Sequence, residues 1–160
     1  MIVAKRILLC LAHMSGNEMK FIQEAFDTNW VVPLGPNVDG FEHDLEAFVG
    51  QNKQVVALSS GTAAVHLALI ACGVKAGDEV MVQSFTFCAS SHPVTYLGAT
   101  PVFVDSERDT WNMDPALLDK AIADRIAKTG RKPKAIIPVY LYGMPGKIKE
   151  ILEVAAKYDI

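Results

Sequence analysis

The hydrophobic positions along this chain change period near residue 50, and the change separates two kinds of segment. Up to Gly50 the apolar residues recur every three or four positions. Met19, Ile22, Ala25 and Phe26 share one helical face, and so do Val38, Phe41, Leu45, Phe48 and Val49. Ser15-Gly16-Asn17-Glu18 has the spacing of a capping box and predicts a helix starting at Ser15, while Gly50 reads as the stop of the second helix. Residues 1–12 read as an extended arm. Thr28 to Asn37, with Trp30, Pro33, Gly35 and Pro36, reads as a loop.

From Val55 onward, short apolar runs alternate with helical patterns. Strands are predicted at Val55–Leu58, Glu79–Gln83, Pro101–Asp105 and Ala135–Tyr140. Helices are predicted at Thr62–Cys72, Ala89–Leu97, Pro115–Ile126 and Lys147–Tyr158. Gly73 and Gly98 are helix stops, and Asp114-Pro115 pairs an N-cap with proline at the first helical position. Strands this apolar, joined by helices, predict an α/β fold with a mostly parallel sheet covered on both faces. The domain reading is an arm with helices over 1–50, followed by a sheet domain over 51–160.

In such sheets ligands sit beyond the carboxyl ends of the strands. The loops at Ser59–Ala63, Ser84–Ser91, Asp105–Arg108 and Leu141–Gly146 should therefore share one rim. The first is the most informative. In Val55-Val56-Ala57-Leu58-Ser59-Ser60-Gly61-Thr62-Ala63 an apolar run ends in hydroxyls and a glycine, and a helix begins at once. That joint either presents free N–H groups and a helix dipole to an anion, or is simply a helix capped by Ser60. Phe87, after the next strand, either stacks on a flat ligand or belongs to the core.

Composition narrows the classes. At 160 residues with 51% hydrophobic and 8% aromatic residues, the chain can bury a core and is not disordered. A net charge of −3 without a basic stripe argues against nucleic acid and anionic membranes as partners. Cys10, Cys72 and Cys88 are odd in number and far apart, which suits a reducing cytoplasm better than a disulfide framework. Neither they nor His13, His43, His66 and His92 have metal-ligand spacing, so no metal site is expected. Lys5-Arg6 and the apolar run after it imitate a signal peptide, but the run is short and no small-x-small site follows. The uncharged stretch from Gln54 to Val74 is long enough to span a bilayer, but Ser59-Ser60-Gly61-Thr62 interrupts it. Glycine-rich dinucleotide, Walker and nucleophile-elbow motifs are absent.

Several motifs in order carry a resemblance. Leu58-Ser59-Ser60-Gly61-Thr62-Ala63-Ala64, Ser84-Phe85-Thr86-Phe87-Cys88-Ala89-Ser90 and Thr100-Pro101-Val102-Phe103-Val104-Asp105 follow one another at fitting intervals. Thr110-Trp111-Asn112-Met113-Asp114-Pro115 and Pro138-Val139-Tyr140-Leu141-Tyr142-Gly143 continue the match, and Asn29 to Pro36 with Phe41-Glu42 extend it upstream. Together they resemble the DegT/DnrJ/EryC1/StrS family of pyridoxal-phosphate-dependent nucleotide-sugar aminotransferases, over essentially the whole chain.

The resemblance implies the N-terminal portion of the type I aminotransferase fold and a homodimer with active sites at the interface. It implies that the amides of Thr62 and Ala63 and the Thr62 hydroxyl, within Ser60-Gly61-Thr62-Ala63, hold the phosphate of pyridoxal 5′-phosphate. Phe87 would stack on the pyridine ring. The loop with Trp30, Val31, Pro33 and Gly35 would lie near the sugar-nucleotide, and glutamate would be the amino donor. Leu11 to Glu18 looks most like the subgroup that aminates UDP-linked 4-keto-6-deoxy-N-acetyl sugars on the way to bacillosamine. Tyr140 departs from the pattern, since many members carry histidine there.

Transamination needs a lysine that bonds the cofactor and moves the proton, and a carboxylate at the pyridine nitrogen. None of the eleven lysines sits convincingly on the rim. Lys75, Lys132 and Lys134 precede strands, and Lys147 and Lys149 read as solvated. The resemblance implies that the aspartate lies on a strand just after Ile160 and the lysine beyond it. The expectation is an N-terminal part of a longer enzyme, with no catalytic residue in this chain and no activity alone. It should also lack strands between its first and second, leaving exposed edges and poor autonomous stability or oligomerisation. A sugar dehydratase of the same family and a non-catalytic binding module remain open, and the sequence after Ile160 discriminates them.

Overall fold

The structure is a computed structural model that describes residues 12–50 and 52–160. The predicted arm and the signal-like run fall almost entirely outside the described residues. The chain forms two compact units, Met1–Ala57 and Leu58–Ile160.

The first unit holds helices α1 (Glu18–Asp27) and α2 (Pro36–Val49). α1 begins three residues later than the capping pattern suggests, because Gly16 takes φ 92, outside the right-handed helical region. One half of the box still forms, with the Glu18 carboxylate accepting the N–H groups of Ser15 and Gly16. α2 begins inside the stretch read as loop: Pro36 occupies the first turn, where its missing N–H costs nothing.

The predicted strand Val55–Leu58 does not form. It pairs with no strand among the described residues, and carboxylates of α2 take its N–H groups instead. Glu46 Oε1 accepts from Val55 at 3.0 Å and Glu42 Oε1 from Ala57 at 2.7 Å. Alternate N–H groups are thus satisfied without a ladder.

The second unit is a three-stranded sheet, all parallel, in the order β2-β1-β3, where four strands were expected. β1 spans Glu79–Gln83, β2 Thr100–Val104 and β3 Ala135–Ile137. β3 is shorter than predicted because Pro138 has no N–H to continue the ladder. β2 tolerates Pro101 because it lies at an edge.

Helices cover both faces. α3 (Gly61–Ala71) packs on α4 (His92–Tyr96), with Leu69, Val80, Val82 and Val94 forming one core cluster. α5 (Pro115–Thr129) packs on α6 (Ile148–Tyr158), with Met81, Met113, Leu118, Ile122 and Ile151 forming the other. The assignment follows from the pleat: Val80 and Val82 point one way and Met81 the other, and all three are fully buried.

Local signals set the stop of α3 and the start of α5 where the sequence places them, whereas α5 runs to Thr129, three residues past the predicted end at Ile126. Gly73 (φ 74) closes α3 in a Schellman motif, with Val74 N–H on Leu69 O and Gly73 N–H on Ile70 O. Asp114 caps α5, its Oδ1 accepting from Ala116 at 2.7 Å and Leu117 at 3.1 Å. The helix predicted at Ala89–Leu97 is broken instead into a 3₁₀ turn, Cys88–Ser90, and α4. Pro93 restarts the helix there because it cannot donate within a continuing one.

Candidate functional site

Three structures bear on function, and two of them lie at the carboxyl ends of the strands. The first is the amino terminus of α3. Ser60 is extended (φ −161, ψ 158), and its Oγ accepts the Ala63 N–H at 3.2 Å. The N–H groups of Gly61 and Thr62 meet no acceptor among the described residues. A Cβ at Gly61 would meet nothing within 4 Å, so the approach to these amides is open. The Ala63 amide, expected on an anion, is engaged by the cap, and Gly61 supplies the second free donor.

The second is the loop after β1. Phe87 is 77% exposed, which removes the core reading. It immediately precedes the 3₁₀ turn Cys88–Ser90, which packs on α3. Hydrogen bonds from Ser90 N–H to Phe87 O and between the Thr86 and Ser90 hydroxyls hold the loop.

The third is a buried polar network that the sequence reading missed. Gln83, at the end of β1, is fully buried. Its amide donates to Phe85 O at 2.9 Å and Asn112 Oδ1 at 3.3 Å, and its Oε1 accepts from Met113 N–H at 2.9 Å and Val139 N–H at 3.3 Å. Asn112 accepts from Leu141 N–H at 2.9 Å and donates to Met144 O at 2.8 Å. Two side chains thereby tie together the loops after all three strands. The available signal was a glutamine ending an otherwise apolar central strand.

Glu107 extends this clamp. It accepts the N–H groups of Asp109 (2.7 Å) and Thr110 (2.8 Å), the Thr110 hydroxyl, and an ion pair from Lys147 at 3.2 Å. The Thr110 hydroxyl, then those amides and Lys147, hold its carboxyl down to about 2. Lys147, read from sequence as solvated, is instead pinned at the rim between Asp109 (2.8 Å) and Glu107. Those carboxylates, Asp109 foremost, push its ammonium up to about 12. A lysine acting as a nucleophile needs the opposite shift, so Lys147 is an anchor.

Trp111 sits on the loop from Asp105 to Asp114, closed by an antiparallel bridge between Ser106 and Met113. Its φ of 63 is left-handed, a conformation that costs a bulky residue about 1–3 kcal/mol. A cavity of about 680 Å³ opens beside this loop, and a second hollow of about 440 Å³ lies against the same Phe85 and Trp111. Neither includes Ser60–Ala63 or Phe87.

The predicted substrate residues lie in the first unit. Gly35 is buried at φ 124 as the N-cap of α2, and a Cβ there would fall 2.8 Å from Trp30 Cε3. Trp30 and Gly35 are therefore in contact, while Val31 (58%) and Pro33 are exposed. The hollow at Trp30, Val32, Leu34 and Gly35 holds about 120 Å³, smaller than a typical ligand pocket of roughly 300–1,000 Å³. Among the described residues no group of three or more His, Cys, Asp or Glu is placed to hold a metal, and no helix is long and apolar enough to cross a membrane.

A parallel sheet covered by helices, with free amides at the amino terminus of α3 and an exposed phenylalanine on a loop that packs on it, defines an α/β protein with its polar features gathered at the helix start and the strand ends. Comparison with known proteins makes the class specific. The DegT/DnrJ/EryC1/StrS aminotransferase family model matches residues 13–160, and the chain belongs to that family. It is 49% identical to EpsN of Bacillus subtilis over 98% of its own length and 40% of that protein's. It is 41% identical to the GDP-perosamine synthase of Caulobacter vibrioides, over 97% of its length and 40% of that enzyme's. Spr1654 from Streptococcus pneumoniae, solved in its pyridoxamine-phosphate form, superposes with a TM-score of 0.79 at 32% identity, covering 95% of this chain and 36% of that one. The chain thus spans about 40% of the length of the curated relatives it matches. Over that part it has the fold of the pyridoxal-phosphate aminotransferases, and pyridoxal 5′-phosphate is the cofactor.

Proposed function

We propose that this chain supplies the phosphate-holding and ring-stacking part of a nucleotide-sugar aminotransferase site. The amino group would pass from glutamate to a keto sugar-nucleotide of the UDP-4-keto-6-deoxy-N-acetylhexosamine class, in a cytoplasmic homodimer. The observation that carries the reading is the pair of unpartnered N–H groups, Gly61 and Thr62, at the amino terminus of α3. They fit a phosphate by charge and by open approach.

Each residue has a separate task. Gly61 and Thr62 donate to the phosphate, with the Thr62 hydroxyl as a third donor. Ser60 keeps the helix terminus in register through Ala63. The exposed ring of Phe87 lies against one face of the pyridine, and the Trp30, Val31, Pro33 and Gly35 loop meets the sugar-nucleotide. The bound cofactor supplies an electron sink for the proton transfers of transamination. No lysine among the described residues has the environment of a nucleophile, so the chain alone should be inactive. An aspartate strand and a lysine encoded after Ile160 would support the aminotransferase over the dehydratase.

Gly61→Pro is the sharpest test. Proline is favoured at the first helical position, the extended Ser60 suits a following proline, and the space at Gly61 is open, so the helix survives while one phosphate donor is lost. In a spectroscopic titration, pyridoxal phosphate should bind about tenfold or more tightly than unphosphorylated pyridoxal, and G61P should remove most of that advantage. Equal binding of the two, or an unchanged advantage in G61P, overturns the assignment. Amino transfer from glutamate catalysed by the chain alone would overturn the predicted inactivity.

A further inference from the structure

Gln83 ends a strand whose other fully buried positions, Val80, Met81 and Val82, are apolar. An apolar side chain would fill the same place with no polar group to satisfy, so the buried amide calls for a reason. All of its hydrogen-bonding capacity is used. The two N–H groups reach Phe85 O and Asn112 Oδ1, and the oxygen receives the Met113 and Val139 N–H groups. Only one orientation of the amide serves all four partners, because turned over it would set N–H against N–H at Met113 and Val139.

The contact with Phe85 O, at 2.9 Å, is the one that bears on the cofactor. Phe85 lies two residues before Phe87, in a loop otherwise tied by Ser84 N–H on Val104 O at 2.8 Å and by the Thr86 and Ser90 hydroxyls at 2.9 Å. With Phe87 77% exposed, its backbone rather than packing aims the ring. Two further exposed aromatic residues flank the same network in left-handed backbone. Trp111 (φ 63) precedes Asn112, and Tyr142 (φ 52) follows Leu141, whose N–H Asn112 accepts. Such strain persists where the surroundings fix it, and here they fix rings that are not buried.

We propose that Gln83 is a positioning residue for the cofactor ring. Through an amide that Asn112 locks, it holds Phe85 O and so sets the backbone from which Phe87 meets the pyridine. Being fully buried, it acts through Phe87 and not by its own contact. The inference rests on the stacking role proposed above for Phe87, and goes beyond it in assigning the support of that ring to the core of the sheet.

The test is a double-mutant cycle on the full chain, read as affinities for pyridoxal phosphate and for unphosphorylated pyridoxal. Phe87→Ala should weaken both ligands by about three- to tenfold and leave the advantage of the phosphorylated one intact. Gln83→Met, which fills a similar space and donates nothing, should have the same signature. In F87A/Q83M the second substitution should add less than about twofold, since the ring it acts through is already gone. A residue that only supports the fold would add its full loss in the double variant. That outcome, or unchanged affinities in Q83M, overturns the proposal. If circular dichroism shows Q83M unfolded, Q83E, which keeps an oxygen for the Met113 and Val139 N–H groups, takes its place in the cycle. Unfolding of both variants makes Gln83 a residue of the fold alone and also overturns it. Unchanged binding in F87A, or no binding of pyridoxal phosphate by the unsubstituted chain, removes the proposed site together with this inference. A loss in F87A without one in Q83M removes this inference and leaves the site standing.

Discussion

Helices α1 and α6 are nearly the same length, 10 and 11 residues, and both are amphipathic, but they end in different circumstances. α6 lays Ile151 (4% exposed) into the cluster of Met81, Met113 and Ile122. α1 buries no residue, and Phe21, Ile22 and Phe26 stay 52%, 47% and 64% exposed. An isolated helix of this length is marginal in water, so the apolar face of α1 contributes little until something covers it. Amphipathicity provides a face, and a sheet beneath it turns that face into core.

The comparison breaks most readily at matched isoleucines. Ile151→Ala should cost about 2–5 kcal/mol, as for other buried large-to-small changes, measured by urea denaturation. Ile22→Ala should stay within about 0.5 kcal/mol. Equal costs would mean that α1 is as well supported as α6.

A second test asks whether polar groups also hold the sheet unit together. Asn112→Ala removes one of the two acceptors of the Gln83 amide and strands the Leu141 N–H and the Met144 carbonyl. The expected loss is about 1–3 kcal/mol in thermal unfolding. A neutral result would show that the loops are held without the network.

The smallest effect concerns acid. Glu107 has its carboxyl lowered from 4.5 to about 2, so its contribution is present above 4.5 and fades as pH falls towards 2. Glu107→Gln should therefore lower stability at neutral pH and flatten its fall across that window. A parallel fall in both proteins would remove Glu107 from the acid response. The partner behaves oppositely: Lys147, raised from 10.5 to about 12, holds its contribution below 10.5 and loses it as pH rises towards 12.

Much of the fold was legible because its signals are local. The bounds of β1, the Asp114 cap and the Gly73 stop depend on residues within one turn of each other, and each lies where the pattern put it. The failures are non-local. Val55–Leu58 is as apolar as Ala135–Ile137, but only the latter has β1 to pair with. A strand is half of an interaction, and its sequence does not carry the other half.

The same division runs through the site. The sequence by itself determined the capped helix start at Ser60–Ala63 and the family, because a helix terminus and its cap are built from consecutive residues. Tertiary structure alone decided that Gln83 and Asn112, 29 residues apart, share a hydrogen bond. It also decided that Lys147 meets Glu107 and Asp109, and that Phe85, Trp111 and Arg108 line one cavity. Polar satisfaction and cavity shape depend on what the folded chain brings together, and spacing along the sequence does not encode that distance.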